Sequence, residues 1–285
     1  ALDLDAGTLV FYKNGSSQGT AYSSLPSGTY FFGISGVGNV TSSFNFGQRP
    51  FAYPAPLGFK ALCTTNLLAP TIADGSTAMD VKLYTGNGST QTISGLEFSP
   101  DLVWIKNRAQ ADNHKLLDTV RGATEELESN TTDAEVTNAD GLTAFNSDGF
   151  DLGVDAEYNT NTEAYVAWTW DAGSSTVTNT DGSITSSVRA NPSAGFSVVT
   201  FTGTGSAATV GHGLGVTPSV YLIKKRSGTS DWVWFTTAID GSVDFLYLNG
   251  TAAKTNTGAG YSTAPTSSVF SLGAASQSIN DNGGT

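Results

Sequence analysis

Residues 81–153 of this 285-residue chain can be laid in order over residues 198–273, and that internal repetition limits the fold more than any single motif. VKLYTGNGS (81–89) matches VVTFTGTGS (198–206), with Tyr84 over Phe201 at a separation of 117. Gly95-Leu96 meets Gly213-Leu214, Pro100 meets Pro218, and DLVWIKNR (101–108) meets SVYLIKKR (219–226), all at 118. Leu127 and Asn130 fall on Leu246 and Asn249 at 119, and FDLG (150–153) on FSLG (270–273) at 120. Single-residue drift of this kind is what loop insertions produce. The pattern predicts one domain over 75–188 and an incomplete second over 189–285, which stops before any counterpart of YVAWTWDAG (165–173). The chain therefore reads as a fragment cut at both ends.

The period inside each copy is two. Leu102, Trp104 and Lys106 alternate with Val103, Ile105 and Asn107, which predicts a strand apolar on both faces and central in a sheet. EAYVAWTWDAG (163–173) reads as another strand, and NSDGFDLG (146–153) as a turn leading into a short one. Only Asp118–Ser129 (DTVRGATEELES) invites a helix, limited by Gly122 to two turns. With 33 glycines and 13% charged residues, the composition also suits strands and turns. The expected fold is all-β, tandem β-sandwich domains of jelly-roll or concanavalin-like type, with under a tenth helix.

Segment 1–58 does not belong to the repeat. Leu2 and Leu4, then Leu9 and Phe11, flank turns at Asp5-Ala6-Gly7 and Lys13-Asn14-Gly15, the latter an Asn-Gly hairpin signal. It closes with FNFGQRPF (44–51), and a proline-marked linker over 59–74 follows.

The chemistry-bearing residues are few. A net charge of −12 argues against nucleic acid as a partner, because phosphates call for clustered Lys and Arg. Cys63, the single cysteine, reads as an inert thiol, and no apolar run is long enough to insert in a membrane. His114 and His212 are the two histidines; His212, in GHGLG, reads as a residue presented on a glycine-rich turn. GTGSAATVGHGLG (203–215) has no following helix and no Lys-Ser/Thr pair to make it a phosphate loop. Asp3 and Asp5, and Asp140, Asp148, Asp151 and Asp155, read as solvated turns and not as a calcium loop. Glu125 and Glu126, near Arg121, read as surface charge. No catalytic, cofactor or metal residue is assigned, and the chain is expected not to be an enzyme. The candidate contact residues are aromatic: Trp168 with Trp170, and Trp232 with Trp234, are spaced to share a strand face, where they either fill a core or stack on a sugar ring.

ALDLDAGTLVFYKNGSSQG (1–19), YFFGISG (30–36) and FNFGQRPFAY (44–53) resemble the C-terminal half of a SPRY (B30.2-like) domain. GFKALCTTNL (58–67), YTGNGSTQTISGLEFSPDLVWIKNR (84–108), LLDTVRGATEELESN (116–130), SDGFDLG (147–153) and YVAWTWDAG (165–173) resemble a repeat domain of large structural proteins of marine tailed bacteriophages. The resemblance implies a non-enzymatic component of the virion surface, extracellular after release: a tail fibre, adsorption or decoration protein. Its implied partners are copies of itself in a homo-oligomer, other virion proteins and a host surface glycan. The alternative reading is a lectin-like carbohydrate-binding module of a secreted or cell-surface protein.

Overall fold

The structure is a computed structural model and describes all residues except 32, 34–40, 42, 47–48, 62–71, 258–261 and 275–278. Cys63 and most of the expected linker lie outside the described residues. The chain divides into two compact units, Ala1–Pro70 and Thr71–Thr285.

In the first unit β1 (Leu2–Asp3), β2 (Thr8–Lys13) and β3 (Ser16–Tyr22) form an antiparallel meander. The β2–β3 connection is the expected tight hairpin: Asn14 and Gly15 both have positive φ, 52° and 78°, which two residues must adopt to match the strand twist. Asp3 accepts a hydrogen bond from the Ala6 amide in the preceding turn.

The second unit opens with a 3-10 turn (Gly75–Thr77), then β4 (Met79–Thr85), β5 (Gln91–Ile93), β6 (Leu102–Asn107), β7 (Lys115–Asp118) and β8 (Gly122–Glu128). β9 (Val136–Thr137), β10 (Leu142–Asn146), β11 (Gly149–Leu152), one helical turn α1 (Ala156–Asn159) and β12 (Ala164–Trp170) complete the first copy. A six-stranded sheet, β4-β12-β6-β7-β8-β9, packs on a three-stranded one, β10-β11-β5. β6 is interior, as its two apolar faces require. Val103, Ile105, Leu117, Tyr165 and Ala167 of the large sheet meet Ile93, Leu142, Phe150 and Leu152 of the small one. Each of the Val, Ile, Leu and Phe side chains among them contributes roughly 1.5–3 kcal/mol through burial.

The helix expected over Asp118–Ser129 is a hairpin instead. Asp118 Oδ1 accepts from the amides of Val120 and Arg121, and Gly122 sits at φ 124°, so the turn ends β7 and starts β8. Alternation then puts Glu126 and Glu128 on one face and Leu127 on the other, a pattern that burial rewards in a strand.

β13 (Thr176–Asn179), β14 (Ser186–Asn191) and β15 (Phe196–Thr200) form a third sheet, in that order. β16 (Ala208–Gly211), β17 (Val220–Ile223), β18 (Val233–Thr236), β19 (Asp244–Tyr247), β20 (Thr255–Asn256) and β21 (Val269–Leu272) follow. The copy boundary expected at 188/189 falls inside β14, which hydrogen-bonds to both neighbours, so it cannot be a domain edge. β15 through β21 occupy the sequence positions of β4 through β9 and β11, and β17-β18-β19-β20 repeats β6-β7-β8-β9. The match reaches single hydrogen bonds. Asn159 accepts from the Asn87 amide and donates to Ser89 and Gly153 carbonyls; Asn280 accepts from the Thr204 amide and donates to Ser206 and Gly273 carbonyls. A Cβ on Gly86 would meet Thr160 O at 2.2 Å, and one on Gly203 would meet Asp281 O at 2.3 Å. Helix makes up 3% of the described residues against 38% strand, and the fold is an all-β assembly of packed sheets.

Candidate functional site

The outer face of the six-stranded sheet, opposite the core, carries an apolar row. The pairings Val81↔Trp168, Trp168↔Trp104, Trp104↔Leu116 and Leu116↔Leu127 run it across five strands. Trp104 and Trp168 lie 6.0 Å apart, ring centre to ring centre, and the indole N–H of Trp104 is buried without an acceptor. One end of the row is covered by the second copy: Trp232 and Leu248 pack on Leu116 and Leu127, and Trp232 Nε1 donates to the Glu128 carbonyl at 2.8 Å. The other end is open, with Val81 40% and Leu83 67% exposed.

The four candidate tryptophans therefore do different things. Trp168 faces outward in the row. Trp170, on the same face, stacks at 5.9 Å on Phe196 where the copies meet. Trp234 pairs with Leu222 and Leu246 on the equivalent face of the second copy. Trp232 is 5% exposed and is a packing residue, not half of an exposed pair, because the first copy covers the strand end that carries it.

Polar contacts lock the same junction. Arg226 Nε donates to Glu135 at 2.8 Å, and Arg121 Nη1 reaches the same carboxylate at 2.8 Å. Burial alone would raise the Glu135 pKa, but the two guanidiniums outweigh it and hold the carboxyl below its ordinary value. Arg189 pairs at 2.6 Å with the fully buried Asp101, whose carboxyl burial pushes up despite that partner. The Lys224 ammonium donates to the Thr132 carbonyl of the first copy, and burial lowers its pKa to about 8.

A buried charge cluster lies on the core side. Lys115, 2% exposed, meets Glu126 at 2.7 Å and Glu128 at 2.6 Å, and also pairs with Glu157. Burial disfavours its charge, yet the three carboxylates raise its pKa above the ordinary value. Tyr158 and Asn138 donate to the second oxygen of Glu126. The three glutamates are spaced to hold a cation, and the lysine ammonium supplies one. Glu126 is thus a core residue and not the surface charge its sequence context suggests. The signal available was Lys115 in an apolar strand facing two same-face glutamates across a tight turn.

The remaining candidates are dispersed. His212 is 3% exposed, buried and not presented: its Nδ1 accepts from the Leu214 amide and its Nε2 faces the Thr266 carbonyl. Burial lowers the pKa of His114. Asp148 accepts from the Gly95 amide and Asp151 from Thr92, both across to β5 or the loop after it; Asp151 also accepts from Asn146 in its own hairpin, and Asp155 caps α1.

Fused β-sandwiches with one open apolar face make this an all-β scaffold with a candidate interaction surface. The chain belongs to the family described as a domain of unknown function (DUF7483), which matches residues 74–284 and so spans both copies. No solved structure matches the chain at a significant level. Among the described residues, no helix is long and apolar enough to cross a membrane.

Proposed function

We propose that this chain is a non-enzymatic component of a virion surface, a tail fibre, adsorption or decoration protein, that presents rigid β modules for attachment or assembly. The observation that carries the reading is the junction between the copies. Trp232, the Arg226–Glu135–Arg121 group and the Arg189–Asp101 pair fuse two sandwiches into one stiff unit, as projection from a particle requires. The phage-repeat resemblance of residues 58–173 supports the same role. Many copies would then convert weak contacts into firm attachment. Mass spectrometry of purified particles from the source should find the protein at structural copy number; particles that lack it would overturn the reading.

A lectin-like binding module is the second reading. It is favoured by Trp168, an aromatic ring on the outer face of the six-stranded sheet beside Trp104. A glycan array with the wild-type chain and Trp168→Ala distinguishes the two. Loss of a specific signal in the variant supports the lectin reading, and no signal from the wild-type chain ends it.

A further inference from the structure

The six-stranded sheet ends in β9 on one side and β4 on the other. β9 has two residues, too few to seat a further strand, whereas β4 has seven. The Ala78 carbonyl accepts from the Asp171 amide and the Gly86 amide donates to the Glu163 carbonyl. By antiparallel alternation the backbone groups of Asp80, Lys82 and Tyr84 then face β12, and those of Met79, Val81, Leu83 and Thr85 face the free edge. In the second copy the same edge is closed: β15, the counterpart of β4, takes antiparallel β14 there, with Arg189 opposite Val198, the counterpart of Val81. Among the described residues no strand pairs with β4 on that side.

The free edge is matched to itself. Met79, Val81 and Leu83 share the outer face, and Asp80 and Lys82 share the core side, where they pair at 3.1 Å. A single charge on the inward side of an edge strand repels a second edge. Here an acid and a base stand one residue to each side of Val81. A two-fold axis normal to the sheet through Val81 lays one β4 antiparallel to another. It sets Val81 opposite Val81, Met79 opposite Leu83, and Asp80 opposite Lys82 of the other chain, twice. An axis through Lys82 would oppose two ammonium groups. An axis through Leu83 would need the Thr85 carbonyl, which already accepts from Gln91 at 3.2 Å. Charge and backbone together therefore select one register.

We propose that β4 is a self-association edge, through which two chains pair over Met79–Leu83, antiparallel about Val81, and join their six-stranded sheets into one. Main-chain hydrogen bonds at Val81 and at the Met79–Leu83 pairs supply affinity, and the Asp80–Lys82 pairs supply register. In the single chain Asp80 Oδ1 accepts from the Val81 amide at 2.7 Å. On pairing, that amide turns to the carbonyl of the other Val81, and the carboxylate takes the other chain's Lys82 in exchange. Because one bond replaces another, the contact is weak and dissociates on dilution. On the outer face the apolar row then runs unbroken from the Leu127 of one chain to that of the other. The proposal deepens the assembly role above and rests on it for its biological use.

Sedimentation of the 285-residue chain over about a hundredfold range of concentration should show a monomer–dimer equilibrium. Asp80→Lys and Lys82→Asp each set like charges against one another across the two-fold, and each alone should associate at least about tenfold more weakly. An equimolar mixture of the two variants restores both opposite-charge pairs and should recover association close to that of the wild type. Val81→Pro removes an amide that β12 does not use and should weaken association as the single charge changes do. Hydrogen exchange at Met79, Val81 and Leu83 should slow as concentration rises. A wild-type chain that stays monomeric throughout the range overturns the proposal. So does a dimer that the charge variants and Val81→Pro form as well as the wild type, or a mixture that associates no better than its components. None of these results bears on whether purified particles contain the protein, so the two readings fail separately.

Discussion

The two copies share the β6–β9 arrangement of strands and an apolar core, yet fill one part of the interior with opposite chemistry. Where the first has Lys115, Glu126 and Glu128, the second has Val233, Phe245 and Tyr247 at the same strand positions. Ions held by hydrogen bonds fill the space in one; in the other Phe235 and Phe245 lie 6.3 Å apart and Tyr221 stacks on Phe235 at 4.7 Å. Backbone pairing therefore does not dictate which interior chemistry is used. A buried ion group is costly to break and replaceable as a whole by well-packed apolar side chains.

That contrast can be broken directly. Lys115→Ala leaves three glutamates without their cation, one of them buried, and should cost about 4 kcal/mol in urea denaturation. The variant K115V/E126F/E128Y, which imports the second copy's residues, should recover much of that loss; strictly additive penalties would mean that the first copy's interior is not interchangeable. Next in size, Trp232→Ala empties the junction and should cost about 3 kcal/mol, with the same change in the amide protection of β7 and β8 as in β18. Equal protection of β7 and β8 in variant and wild type would show the copies to be uncoupled.

A smaller effect concerns one lysine of a matched pair. Lys106 and Lys224 both close the loop after their strand by donating to nearby carbonyls, but only Lys224 also donates across the junction, to Thr132. Its folded pKa of about 8 lies below the ordinary lysine value of 10.5, so the unfolded chain binds the proton more tightly between those values. Stability should then rise as pH increases through 8, by roughly 1–2 kcal/mol between pH 7 and 9.5. Lys224→Met should flatten that rise in thermal melts. The smallest change is expected at Leu83→Thr, which installs the second copy's Thr200 at the open end of the apolar row. Since Leu83 is 67% exposed, the shift should stay within about 0.5 kcal/mol.

Much of the fold was legible because strand alternation is local. β6, β12 and the Asn14-Gly15 hairpin follow from residues within ten positions of one another. The Asp118–Ser129 hairpin was not, since Glu125-Glu126-Leu127 suits a helix until Lys115 is placed opposite Glu128 and within reach of Glu126. The candidate site was half legible. Trp168 could be placed on a face by counting, but the burial of Trp232 depends on Leu116 and Leu127, more than a hundred residues earlier. Burial of His212 likewise depends on Thr266, which no motif around GHGLG contains.

The paired asparagines have a use outside this protein's own stability. Asn159 and Asn280 each tie the loop after the first strand of a copy to the turn near its end, so those two segments cannot change length without losing the tie. Yet the separation between copies grows from 117 at Gly86 and Gly203 to 121 at Asn159 and Asn280. The additions are absorbed one at a time in the connections between. Those connections are therefore a ready map of where foreign peptides can be grafted, marked by the chain's own divergence from itself.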